Sequence, residues 1–404
     1  MAQAVAKAKG ADWNLSGLLA IAFGHGVNDF FSGTVALTIF FVATSAGLSA
    51  WYQGAVGFLW YLTSSIVQPF FGAYSDRHGR WWFMPTGVLM VVTAISFASL
   101  AGSLWMLSLL VVIGGLGSAV MHPEAGKYAA LLSGSRKSGG ISVFQMGGSF
   151  GFAFGPVAIA ALLAHFGTWA SLVMLPLGLV AVACVYVGIR RAHVMAQPAH
   201  ETQRKLDPAA AASIDRLGIG LVVASTAARF LTTAAFMTYL PNLLAARGGS
   251  IVQAGQLVTA FLLVGIIGMY LGGYLGDRLG SVTASVIALV AAVPCLLGFF
   301  FAPTVVGIGL LLLGNIFLSV QNAPGVVIVQ SLLPRNLGMA LGLINGVAFG
   351  VGSVLVTVVG IAVTRFGPEA ALIDVSVMPL LGAAAYLVVA KRLSPASLRP
   401  AVGA

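Results

Sequence analysis

Between Gly72 and Arg80 the chain reads GAYSDRHGR, and between Gly272 and Gly280 it reads GGYLGDRLG. Each is a short polar break between long apolar runs, and each sets an aspartate and an arginine among glycines. Asp76 and Asp277 stand 201 positions apart, close to half of the 404 residues. A second pair repeats at nearly the same interval. RKSGGISVFQMGGSFG begins at Arg136 and RNLGMALGLINGVAFG at Arg335, so Gly139, Gly147 and Gly151 match Gly338, Gly346 and Gly350. A chain that echoes itself across its midpoint implies two bundles of shared ancestry.

Composition fixes the solvent of those bundles. Hydrophobic residues make up 59% and charged residues 7%, with a mean hydropathy of +1.00, which does not describe the surface of a soluble protein. Apolar runs of roughly 20 to 30 residues recur along the chain, each long enough as a helix to cross a hydrocarbon core of about 30 Å. About twelve are expected, from Leu15 through Ala390. The fold expected is therefore all-α and integral to a membrane: twelve transmembrane helices in two pseudo-symmetric six-helix bundles, residues 1–189 and 217–404. The stretch RRAHVMAQPAHETQRKLDPAAAASIDR, residues 190–216, is the longest polar interval and reads as the cytoplasmic linker between them.

The formal charge of +10 points to orientation rather than to nucleic acid. With the N-terminus placed inside, sixteen of the 20 Lys and Arg fall in cytoplasmic segments, Arg247 and Arg365 fall outside, and Lys127 and Arg229 lie within spans. That bias puts both termini in the cytoplasm. The first apolar segment is too long for a cleavable signal and lacks a small-residue cleavage site. Cys184 and Cys295 both fall in expected helices, so no disulfide framework, metal cluster or redox site is expected.

The loop Gly72-x-x-x-Asp76-Arg77-x-Gly79-Arg80, echoed by Asp277 and Arg278, resembles the motif of the major facilitator superfamily between helices two and three. The chemistry suits an inner gate: glycine lets helices approach, the acid can cap a neighbouring helix N-terminus, and the arginines can pair with it. Trp81 and Trp82 stand where many relatives carry further basic residues. GGSFGFAFGP, from Gly147 to Pro156, resembles the Gly-x-x-x-Gly-Pro element of proton-driven exporters in that superfamily. Gly147, Gly151 and Gly155 would form one close-packing face, with Pro156 supplying a bend; generic helix packing is the competing reading. HPEAGKYAALLSG, ISVFQMGGSFG, GHGVNDFF and QSLLPRNLGMALGL together resemble the fosmidomycin resistance protein family of drug exporters. That resemblance implies proton-linked export of a small molecule, with a phosphonate as the namesake substrate.

The polar residues inside the spans support coupling on their own. An ionised side chain near mid-bilayer costs several kcal/mol unless it is paired or reached by water. His25 and Asp29 lie four apart on one helical face, with Asn28 beside them; Glu124 and Lys127 lie three apart on another. Asp29, near the middle of its span and without a basic neighbour in sequence, is the preferred proton carrier. Glu124 is either a second carrier or the ion-pair partner of Lys127, and His25 either a relay or a packing residue. His122, two residues from Glu124, points elsewhere and is expected to hold a neighbouring helix. Arg229 is the cation suited to a phosphonate or carboxylate, unless it lies too near the cytoplasmic end. Asn28, Gln145, Phe236 and Tyr239 complete the expected substrate contacts, lipid-facing aromatics being the alternative for the last two.

An intramembrane enzyme would need a nucleophile and base or a metal set, and no such motif appears. No cofactor is expected. The partners expected are protons, a small-molecule substrate and lipid, for a monomer in a bacterial cytoplasmic membrane. A proton-coupled uptake symporter of the same fold remains the alternative, because fold and acidic sites do not fix the direction of flux.

Overall fold

The structure is a computed structural model that describes residues 14–78, 80–133, 137–196, 215–332 and 343–391. Among them every regular element is a helix. α1 spans Leu15–Ser45. α2 comes in two pieces, Ala50–Tyr61 and Gln68–His78, joined by a π-helical turn at Leu62–Ile66. α3 is Phe83–Ser96, α4 Leu104–Leu132, α5 Lys137–Phe166 and α6 Leu175–Ala196. α7 is Arg216–Ala246, α8 Ile251–Leu279 and α9 Ser281–Phe301. α10 divides into Thr304–Val320 and Asn322–Leu332. α11 follows a π-helical turn, Leu343–Ala348, and runs Phe349–Phe366; α12 divides into Pro368–Ser376 and Pro379–Ala390. Ten stretches are long and apolar enough to cross a membrane. The remaining two expected spans correspond to α2 and α6.

The interruptions follow from the sequence. A proline removes one backbone hydrogen bond, and its ring crowds the carbonyl four residues back. Pro324 stands four residues after Val320, where the first piece of α10 ends, and Pro379 four after Val375, next to the end of the first piece of α12. Pro123, Pro156, Pro241 and Pro294 sit inside helices that continue past them. α8 opens on a reciprocal cap, Ser250 accepting from the Gln253 N–H and the Gln253 side chain accepting from the Ser250 N–H, which satisfies two otherwise orphaned donors.

The chain forms two compact units, Met1–Thr38 with Val67–Ala209, and Ile39–Ile66 with Ala210–Ala404. In the first unit α1 and α5 meet backbone to backbone. A Cβ on Gly147 would strike the Ala22 carbonyl, one on Gly151 the Gly26 carbonyl, and one on Gly155 the Phe30 carbonyl and Gly33. α3 and α4 meet the same way, Gly87 against the Gly117 carbonyl and Gly117 against the Gly87 carbonyl. In lipid, small residues of this kind let helices gain close van der Waals contact that the bilayer itself does not drive. Ser99, just after α3, and Ser171, just before α6, clasp the two segments together, each backbone N–H donating to the other's hydroxyl at 2.9 and 3.0 Å.

In the second unit the first piece of α2 lies against α11, where the Thr357 hydroxyl donates to the Gly54 carbonyl at 3.1 Å. α8 and α10 approach through Gly268 and Gly272, which face the carbonyls of Ile316 and Val320. Arg247, following α7, forms an ion pair with Glu369 at the start of α12, 3.0 Å apart.

Candidate functional site

The first unit carries a compact acid-base cluster. His25 and Asp29 share a face of α1, as their spacing requires, and His25 Nε2 lies 3.2 Å from Asp29 Oδ2. His122 enters from α4 and brings its Nε2 to 3.5 Å from Asp29 Oδ1. Asn28 donates to Asp29 Oδ1 at 2.8 Å and to the Ser118 hydroxyl at 3.2 Å. Each imidazole is anchored on its other side: His25 Nδ1 contacts the Phe144 carbonyl at 2.9 Å, and His122 Nδ1 the Ser118 carbonyl at 2.8 Å. The ring of Phe144 stacks on His25, with centroids 4.1 Å apart. α5 closes the cluster with Gly148, where a Cβ would meet the His25 ring and lie 2.7 Å from Asp29 Oδ2.

Asp29 is therefore not the isolated acid its sequence neighbours suggest. Two imidazoles and an amide stand around it, one of them from another helix. The same three ionisable groups are the one set among the described residues close enough to share a metal ion. The two imidazoles stand 3.2 and 3.5 Å from the carboxylate, distances of ion-pair contact.

A second polar group lies further along α4. Glu124 accepts from the Ser75 hydroxyl of α2, and Lys127 Nζ donates to the same hydroxyl at 2.6 Å while standing 3.8 Å from Glu124 Oε2. His122 and Glu124 thus serve different neighbours, as two positions on one helix should. Pro123 packs against Gly72 of α2, whose Cβ position is 3.7 Å from the proline ring.

The second unit holds a different kind of centre. Arg229 of α7 is 4% exposed, and its Nε has no hydrogen-bond partner. Among the described residues no carboxylate forms an ion pair with it. Its guanidinium lies 6.0 Å from the centroid of Phe349, a ring that stacks on Phe230 at 4.2 Å. On α10 the Gln321 amide donates to the Tyr386 hydroxyl at 2.7 Å and to the Thr226 hydroxyl at 3.1 Å, while its own Oε1 is buried without a partner. Gln321 is itself the break in α10, between its two pieces.

Comparison with known proteins places this helical frame. The family model described as Major Facilitator Superfamily matches residues 21–357 and 222–402. The chain belongs to the major facilitator superfamily. It is 27% identical to the fosmidomycin resistance protein of Escherichia coli over 369 residues, 90% of each chain. It is also 27% identical to an uncharacterised transporter of the same superfamily from Bacillus subtilis over 386 residues, 92% of each chain. Among solved structures it resembles a bacterial homologue of the human lysosomal transporter Spinster in its inward-facing, unoccupied conformation, with a TM-score of 0.68 at 16% identity. That match covers 94% of this chain and 98% of the other. A nucleoside transporter matches with a TM-score of 0.75 at 13% identity, covering 93% and 100%. At such identities the structures speak for the fold alone.

The remaining expected residues fall as follows on this major facilitator frame. Gly72, Asp76 and Arg77 lie on the last piece of α2, Arg80 is exposed, and Gly79 and the side chains of Asp76 and Arg77 lie outside the described residues. Asp277 and Arg278 are exposed at the end of α8, with Arg278 over the Tyr274 ring at 5.0 Å. Gln145 is exposed on α5. Phe236 and Tyr239 are fully enclosed: Phe236 stacks near Phe261, and the Tyr239 hydroxyl donates to the Val356 carbonyl at 3.0 Å. Most of the linker and the start of the echo at Arg335 lie outside the described residues.

Sequence reading missed Ser75, Ser118, Gln321 and Tyr386, and it passed over Gly148 while choosing its neighbours. For Gln321 a signal existed, since an amide three residues before a mid-span proline sits where backbone groups are freed. The serines and Tyr386 carry no such mark.

Proposed function

We propose that this major facilitator is a proton-coupled exporter that exchanges protons for a small anionic, phosphonate-like compound by alternating access. The observation that carries the reading is Arg229, a buried guanidinium in a membrane span with no carboxylate partner among the described residues. A desolvated cation in that state favours an anionic ligand, and the planar guanidinium matches phosphonate or carboxylate oxygens in a bidentate way. Asp29, held between two imidazoles, is the proton site, with His25 beside it, and Glu124 with Lys127 balances charge along α4. Likeness to a fosmidomycin resistance protein supports the outward direction.

Asn28 and Gln145 assist binding, and Phe236 and Tyr239, enclosed within the second unit, support the helix that carries Arg229. Gly72, Asp76, Arg77, Gly79 and Arg80 act as gating residues in the first repeat, as do Asp277 and Arg278 in the second. The chain acts as a monomer in a bacterial cytoplasmic membrane with both termini inside, and catalyses no covalent step.

Flux in sealed vesicles containing the purified protein tests this, with pH gradients imposed in both directions over a panel of phosphonates, dyes and small acids. Movement of an anionic compound against the proton flow is expected. Movement with it would make the protein an uptake symporter, and indifference to the gradient would remove proton coupling altogether.

A further inference from the structure

The hydrogen-bond partners around Asp29 constrain where protons can be. A backbone carbonyl only accepts, so the contacts of His25 Nδ1 with Phe144 and of His122 Nδ1 with Ser118 require a proton on each Nδ1. With Nδ1 committed, each Nε2 of a neutral imidazole presents a lone pair, and both lone pairs face oxygens of the one carboxylate. An ionised Asp29 between two neutral histidines would oppose like-signed atoms in both contacts. Each contact becomes attractive only when it contains a proton, on the nitrogen or on the oxygen. The cluster therefore has two proton positions beyond the fixed Nδ1 protons, and its charge runs from −1 with both empty, through neutral, to +1 with both filled.

The two positions are unequal. The His25 contact is the shorter, 3.2 Å against 3.5 Å; the His25 side chain is 5% exposed, and Gly148 and Phe144 cover it from α5. The His122 side chain is 24% exposed and Asp29 18%. No other charged side chain faces the cluster among the described residues. α1 contributes Asp29 and His25, α4 contributes His122, and α5 contributes a carbonyl and a glycine. Glu124 and Lys127 are turned to Ser75.

We propose that His122 is the exchanging member of the proton site. The coupled proton enters the His122–Asp29 contact from water, while the His25–Asp29 contact keeps its own proton through the cycle. In balance, water delivers a proton to Nε2 of His122, the resulting imidazolium pairs with the Asp29 carboxylate, and the same proton returns from Nε2 to water on the other side. The Nδ1–H bonds to Phe144 and Ser118 stay intact throughout. This rests on the proton-coupled reading above and sharpens it: one proton moves per cycle, through a residue of α4 rather than of α1 alone. The site then joins two helices, so its charge state bears on how they pack.

Two amide replacements separate the positions. Glutamine places its –NH2 near where Nε2 stands, as a donor that cannot be discharged. His25→Gln should lower proton-driven transport by about threefold to tenfold without moving the pH at which it is half-maximal, because that contact needs a standing donor and not an exchanging one. His122→Gln should abolish accumulation driven by a pH gradient and flatten the pH profile, while downhill substrate flux and binding persist. The reverse pattern would overturn the assignment. Nitrogen NMR of wild-type protein labelled at histidine supplies a readout that needs no variant. His25 should carry protons on both ring nitrogens throughout, His122 should show the Nδ1–H tautomer near neutral pH, and only His122 should titrate as pH is lowered. An Nδ1 without a proton at either residue, a titrating His25, or Zn2+ binding at micromolar concentration that His122→Gln removes would each sink the two-position account. Loss of gradient-driven flux in wild type would instead sink the export reading while leaving the tautomers unchanged.

Discussion

The two units treat buried charge in opposite ways. In the first, the two buried carboxylates have partners within reach: Asp29 between His25 and His122, and Glu124 beside Ser75 and Lys127. In the second, Arg229 is buried as deeply as His25 or Glu124, yet it faces a phenylalanine ring, and its Nε has no hydrogen-bond partner. A set of acids and bases that satisfy one another can trade protons without any ligand. A lone buried cation is costly until something anionic arrives. The contrast teaches that chain symmetry has not produced chemical symmetry.

The largest effect should come from Asp29→Asn, which removes the charge both imidazoles address. Gradient-driven transport is expected to fall to background, while expression and ligand binding stay near wild type. Proton-driven flux that survives the change would place the coupling elsewhere and erase the contrast between the units. Arg229→Ala ranks next. It should weaken anionic substrates by about ten- to a hundredfold, the cost of losing hydrogen bonds to a charged group, and spare neutral ones. Equal losses for neutral and anionic compounds in binding assays would make the arginine a packing or gating residue. Glu124→Gln should do least, because Lys127 is a third exposed and retains the Ser75 hydroxyl. A change of about two- to fivefold in apparent affinity, with an altered pH dependence, suits a partly solvated pair. Abolished coupling in that variant would move the proton site along α4.

The spans and the repeat were legible because a bilayer imposes length and apolarity on every crossing, and both are properties of a linear string. His25 with Asp29, and Glu124 with Lys127, were legible for the same reason, since helical spacing puts them on one face. The divergence of His122 from Glu124 also followed from helix geometry. Nothing in the string shows that His122 of α4 meets Asp29 of α1, because that pairing depends on how closely two helices pack. α2 reads as an unbroken apolar run, whereas its middle is a π-helical turn; such a turn is set by packing rather than by any breaker residue in LTSSI. Phe236 and Tyr239 read as a cavity wall or lipid-facing pair, and the structure encloses both. Hydropathy alone separates polar from apolar faces and says nothing about which apolar face meets protein.

Gly148 bears on how this protein could be made sturdier for the bench. Replacing helical glycines by alanine is an ordinary route to thermostabilised membrane proteins, each exchange being favourable by about 1 kcal/mol where space allows. Gly57, Gly126, Gly220, Gly273 and Gly309 have open space where a methyl group would go, and a stabilising screen should find its gains there. On α5 the same exchange at Gly148 would press on His25 and Asp29 themselves. Variants chosen for heat resistance alone would leave that glycine untouched, and any that altered it would yield a preparation whose histidine–aspartate cluster no longer matches the native one.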